Sequence, residues 1–103
     1  MAETMKVLFI IVTAGFSDEI VELAQKCGSR GATIISARGT GQNFTKILGI
    51  NYEPEREILL SVVSESVAHK ISEEVKATHG KGTPSNALCF ILPVEDCTLK
   101  SEE

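Results

Sequence analysis

Gly31-Ala32-Thr33-Ile34-Ile35-Ser36-Ala37-Arg38-Gly39-Thr40-Gly41-Gln42 runs a β-branched stretch, carrying one threonine, into two glycines spaced by one residue. The stretch predicts a strand that ends in backbone able to turn sharply. Glycine has no Cβ, so Gly39 and Gly41 present their N–H groups to an anion or to a tight loop at little steric cost. A Gly-x-Gly pair after a strand serves a plain turn more often than a phosphate. The elements on either side decide which it is.

Upstream, Met5 to Thr13 is rich in Val, Ile, Leu and Phe without clean alternation, as in a strand covered on both faces or buried in an oligomer. Ala14-Gly15-Phe16 breaks the run, and Ser17 is placed to cap a helix whose first turn holds Asp18 and Glu19 against its dipole. Ile20, Leu23, Ala24 and Cys27 recur at helical spacing, and Gly28 ends the pattern. Downstream, Arg56 to Val63 reads as a third strand, with Ile58, Leu60 and Val62 on one face and Leu59, Ser61 and Val63 on the other. Ser64 starts a second helix with Val67, Ala68, Ile71 and Val75 as its apolar face, and Gly80 stands near its end. Ala87 to Val94 forms the last strand, where Pro93 implies a sheet edge.

Strand, helix, strand, twice over, predicts an α+β fold: a ferredoxin-like βαββαβ sandwich with a four-stranded antiparallel sheet. Two helices cover one face of such a sheet. The apolar residues on its other face predict an oligomer, since soluble monomers rarely expose patches above a few hundred Å². At 103 residues the chain forms a single domain, with a core of about 5–96, a long connection at 42–55 and a tail at 97–103.

Composition excludes several functions. A net charge of −4 with no cluster of Lys and Arg argues against a nucleic-acid surface. The longest apolar run, Val7 to Val12, is far short of the roughly 20 residues that cross a bilayer, and no charged leader precedes it, so a cytoplasmic location without membrane insertion is expected. Of three cysteines none forms a Cys-x-x-Cys pair, and Cys27 and Cys89 fall in apolar patterns as core residues. His69 and His79 have no acid or thiol at ligand spacing, so neither a metal site nor a catalytic set is expected.

Two segments stand outside the sandwich. The 42–55 connection is far longer than the roughly 2–5 residues a hairpin needs. Phe44, Ile47, Leu48 and Ile50 put apolar side chains into a loop that ought to be polar. Either it folds as a short helix over its own subunit, or it offers them, with Lys46 and Tyr52, to a partner. The other segment, His79 to Asn86, mixes turn formers with Lys81 and several hydroxyls, suited to a phosphate or to a mere turn.

This ordered set resembles the PII signal-transduction family across about Met5 to Asp96. The resemblance implies a homotrimeric regulator that binds an adenine nucleotide, catalyses nothing, and controls a transporter, an enzyme or a transcription factor, as in nitrogen or transport regulation. Thr33, by propensity an ordinary strand residue, falls where the family has a threonine near the adenine ring, and Ile11 matches an apolar position lining that pocket. Gly39, Thr40, Gly41 and Gln42 fall at the base of the family's T-loop, with Gln42 close to the phosphates. Gly80, Lys81 and Gly82 resemble its B-loop, which contacts phosphates from the neighbouring subunit.

The departures are also specific. Tyr52 lies close to the returning strand, away from the tip where classical members carry a nucleotidylated tyrosine, so that modification is not implied here. Glu55, Arg56 and Glu57 stand where the family has lysines, and Thr98-Leu99-Lys100-Ser101-Glu102-Glu103 replaces its C-terminal arginine cluster. Charge-assisted contacts contribute roughly 1.5–3 kcal/mol each. Their loss makes AMP, ADP or a cyclic dinucleotide at least as fitting as ATP. The alternative from another class is a trimeric metal- or small-molecule-binding protein of the CutA type, which shares the sandwich but has no comparable T-loop.

Overall fold

β1 (Met5–Thr13) turns Leu8, Ile10 and Val12 to one side, where all three are buried, and leaves Val7, Phe9 and Ile11 on the other. The computed structural model describes residues 4–38, 45–47, 50–52 and 55–98. α1 (Ser17–Cys27) follows, then β2 (Thr33–Arg38), β3 (Thr45–Ile47), β4 (Ile50–Tyr52), β5 (Glu55–Ser64), α2 (Glu65–Thr78) and β6 (Leu88–Pro93). The main sheet has the order β2-β5-β1-β6 with every neighbour antiparallel, the ferredoxin-like arrangement expected. Pro93 does lie on an edge strand.

Both helices lie on one face. Ile20 and Ala24 of α1 and Ala68, Ile71 and Val75 of α2 close over Leu8, Ile10, Val12, Leu59 and Val63, forming the buried core. Cys27 and Cys89 are half-buried and pack against this cluster as small apolar groups. Register defines the uncovered face as well. Ile35, Ile58, Ile11 and Leu88 form one row across the strands, and Thr33, Leu60, Phe9 and Phe90 the next. Phe9 and Phe90 stack with ring centroids 5.1 Å apart.

The connection at 42–55 differs from the short helix weighed above. β3 and β4 pair antiparallel, Ile47 opposite Ile50 and Thr45 opposite Tyr52, as a two-stranded sheet of their own. Thr45, Ile47 and Ile50 are β-branched, which favours this state over a helix.

The helix starts are built in two ways. Ser64 caps α2 as expected, its hydroxyl accepting from the Val67 N–H at 3.4 Å. Ser17 does not cap α1. It is the first helical residue and is buried, and Phe16 occupies the cap without a side-chain bond. The acceptor comes from β5 instead: Glu57 Oε1 takes the Gly15 N–H at 3.0 Å. That bond first, then bonds from the Ser17 hydroxyl and N–H, hold the Glu57 carboxyl below its ordinary value.

Ile71 has no exposed surface, so Ile71→Ala is expected to lower the unfolding free energy by about 2–5 kcal/mol in urea denaturation. Glu57 gives a pH signature. Its folded pKa is lowered, so its contribution is complete above the unfolded value near 4.5 and fades as pH falls through the folded one. The stability gap between the parent chain and Glu57→Gln should therefore be constant from neutral pH down to that value and narrow below it, as read by thermal unfolding across pH.

Candidate functional site

The connection from α1 to β2 is pinned at several points. Gly28 adopts φ +118°, a left-handed conformation that a side chain would strain, and a Cβ there would meet Val67 Cγ2 at 3.2 Å. The Ser29 N–H donates to the Ala24 carbonyl at 2.9 Å, closing the helix end. Ser29 is buried, and its hydroxyl lies 3.1 Å from that of Ser61 on β5. Ser61 in turn donates to the Gly31 carbonyl at 2.7 Å, where the Ser29 hydroxyl also donates at 3.2 Å.

Beside this turn lies a cleft of about 600 Å³, whose walls include Val7, Leu60, Val62 and Val67 and whose polar rim carries Arg30 and Thr33. Ser61 drew notice in the sequence only as a strand residue on the same face as Leu59 and Val63. Arg30 and Ser29 drew none, because the cleft forms only when residues 28–33 meet 60–67 through β2–β5 pairing.

The second candidate element is the turn after α2. The Thr83 hydroxyl donates to the Gly80 carbonyl at 2.7 Å, and the buried Ser85 hydroxyl donates to the His79 carbonyl at 3.0 Å. The Ala87 N–H reaches the same His79 carbonyl at 2.7 Å. The hydroxyls of this segment thus knit the turn internally. A Cβ at Gly80 would come within 3.1 Å of the Lys76 carbonyl, while Gly82 takes φ +91°, so Lys81 sits exposed between two positions that disfavour side chains. The Thr13 N–H donates to the Ser85 carbonyl at 3.0 Å, fixing the turn to the end of β1.

These contacts locate the sequence-derived residues. Ile11 and Thr33 share the bare face on β1 and β2, with β5 between them. Arg38 pairs with Glu55 and Thr13 with Arg56, so the point where the chain leaves β2 toward Gly39 and the Gly80–Gly82 turn lie at one end of the sheet. They lie toward opposite edges. Three strand spacings separate β2 from β6, about 14 Å, and within one chain the two elements do not meet. Gly39, Thr40, Gly41, Gln42, Phe44 and Leu48 lie outside the described residues. Lys46, Ile47, Ile50 and Tyr52 lie on β3 and β4.

Among the described residues no group of three or more His, Cys, Asp and Glu is placed to hold a metal. His69 is 4.0 Å from Glu65 on the exposed side of α2, and His79 Nδ1 shares a 2.7 Å hydrogen bond with the Thr78 hydroxyl. Burial pushes the Cys89 thiol up, against a smaller opposing pull from Ser72, which favours the protonated form over a nucleophilic thiolate. Among the described residues no helix is long and apolar enough to cross a membrane.

Comparison with known proteins agrees with this frame. A PII-like signalling protein from Thermus thermophilus superposes with a TM-score of 0.70 at 22% identity, over 89% of this chain and 88% of that one. B. subtilis GlnK, solved as a complex with ATP, superposes with a TM-score of 0.68 at 17% identity, over 89% and 85%. At these identities the likeness carries the fold. No curated protein matches by sequence. The family profile "Nitrogen regulatory protein P-II" matches residues 5–102, nearly the whole chain. The chain belongs to the P-II family of nitrogen regulatory proteins, which are regulators rather than enzymes.

Proposed function

We propose that three copies of this chain pack through their bare sheet faces, bind an adenine nucleotide in the seams between them, and signal through the 42–55 connection to a cytoplasmic partner protein. The observation that carries this reading is the uncovered face. Ile35, Leu88, Phe90 and Leu92 are 42%, 56%, 37% and 44% exposed on the side of the sheet that the helices leave open. Burying apolar surface is worth about 25 cal/mol per Å², so a partner for this face is strongly favoured.

A threefold arrangement would bring the β2 edge of one subunit toward the β6 edge of the next. The Gly80–Gly82 turn of one copy would then approach the Gly39–Gln42 segment of its neighbour, which follows β2, the strand three spacings, about 14 Å, from β6 in its own sheet. Backbone N–H groups and Lys81 would meet the phosphates, and the base would lie near Thr33 and Ile11. ATP bound to the similar GlnK makes adenine nucleotides the first class to test. Regulation would follow as a population shift: a nucleotide that binds one arrangement of the 42–55 connection better makes that arrangement dominant, and a transporter, enzyme or transcription factor reads it.

Calorimetry with ATP, ADP, AMP and cyclic dinucleotides, with and without Mg²⁺, tests the nucleotide claim, and absence of heat from all of them ends it. Lys81→Ala is expected to weaken nucleotide binding by about tenfold or more, the loss of one charge-assisted contact. Sedimentation tests the assembly. Leu92→Glu places a charge on the bare face and is expected to yield a folded monomer, whereas a parent chain that sediments as a monomer at micromolar concentration overturns the trimer.

A further inference from the structure

α1 and α2 leave a groove of about 650 Å³ between their outward faces, on the side of the sheet opposite the bare one, so the assembly proposed above leaves it open. Its floor is Leu23 and Cys27, both half-buried. Its walls carry Glu19, Glu22 and Lys26 from α1, and Lys70 and Glu74 from α2. Gly28 lies against Val67, so the end of α1 meets the start of α2 and the two run antiparallel. Counted from that contact at about 1.5 Å per residue, Lys26 comes level with Lys70, and Glu22 with Glu74 a turn further on. Glu19 follows one turn beyond, beside Thr78. Like charges thus face each other across the groove, which has a basic end and an acidic end.

Surface helices often pair such charges among themselves. Glu22 with Lys26, and Lys70 with Glu74, stand at i, i+4, yet among the described residues none of the five charged side chains forms a hydrogen bond or ion pair. The order of acid before base along α1 suits its dipole, whereas Lys70 before Glu74 on α2 is the less favourable order. The pattern fits a partner better than it fits the chain. We infer that the groove docks an amphipathic helix of a partner protein, with acidic residues in its first turns, basic residues in its last, and apolar side chains between them. Its acids would meet Lys26 and Lys70, its bases Glu19, Glu22 and Glu74, and its apolar side chains Leu23 and Cys27. A helix itself favours acids at its start and bases at its end, so the docked segment runs parallel to α2 and antiparallel to α1.

This face is distinct from the one the nucleotide reading uses, and each reading can fail alone. The probe is a lactam-bridged helical peptide of about 15 residues, with glutamates in its first turns, leucine and alanine in the middle and lysines in its last turns. A second peptide has the same composition and bridge, with glutamates and lysines exchanged. Each is titrated into the isotope-labelled whole chain in its own assembly and followed by NMR amide shifts, and ATP is titrated separately. The first peptide is expected to bind about tenfold or more tightly than the second, with shifts centred on residues 19–27 and 70–79. Its affinity should fall as salt is raised from about 0.05 to about 0.5 M.

Lys70→Glu, a change to an exposed side chain, should keep the circular dichroism spectrum, weaken the first peptide by about tenfold or more, and leave ATP binding unchanged. A variant that combines Lys26→Glu, Lys70→Glu, Glu22→Lys and Glu74→Lys inverts the groove and should prefer the second peptide. The inference is overturned by equal affinity for the two peptides, or by affinities weaker than about 1 mM. It is equally overturned by an unaltered affinity in Lys70→Glu, or by shifts confined to the bare sheet face. ATP binding alongside any of these results leaves the nucleotide reading standing.

Discussion

Two helices cover one face of a four-stranded sheet and leave the other bare, and the rest of this molecule is organised by that asymmetry. The strand period of two sends Leu8, Ile10, Val12, Leu59 and Val63 beneath α1 and α2. The same period necessarily sends Val7, Phe9, Ile11, Ile58, Leu60 and Val62 the other way. A polar set there would have suited a solitary domain. The chain instead places isoleucines, leucines and a stacked phenylalanine pair on the uncovered side. The proposed assembly with its seams, and the apolar wall of the cleft, derive from that choice.

Around this apolar frame the polar contacts have a consistent role: they fix the ends of elements where the chain must turn. Glu57 supplies the acceptor that α1 lacks locally, Ser61 and Ser29 hold the Gly31 carbonyl, and Thr83 and Ser85 hold the turn after α2. Each joins a loop to its neighbours through one or two hydrogen bonds, worth about 1 kcal/mol net apiece. Their value lies in position more than in energy. They decide where Arg30 and Lys81 are presented, and both residues are exposed cations whose use depends on where they stand.

How far the chain could be read in advance depended on the range of each interaction. Periodicity is local, so the strands at residues 5, 33, 55 and 88 and both helices were legible to within a residue or so, with the Gly28 and Ser64 caps. Ser17 misled because capping was judged from neighbours in sequence, while the real acceptor, Glu57, arrives from a strand paired with β1. The hairpin in the long connection carried a signal, β-branched residues either side of Gly49, which an apolar count alone obscured. The cleft at Arg30 left no local trace, since its walls come from segments that meet only in the folded sheet.

The central place of β1 bears on how the chain comes to be folded at all. The first strand made is flanked by β5 on one side and β6 on the other, and β6 is the last strand of the sheet. During synthesis Met5–Thr13 emerges with neither neighbour yet available, and Leu88–Pro93 must leave the ribosome before its second edge is filled. Such long-range pairing makes closure of the sheet a late and comparatively slow event. Until then an apolar ribbon stands open on a nascent polypeptide, the kind of segment that chaperones exist to shield.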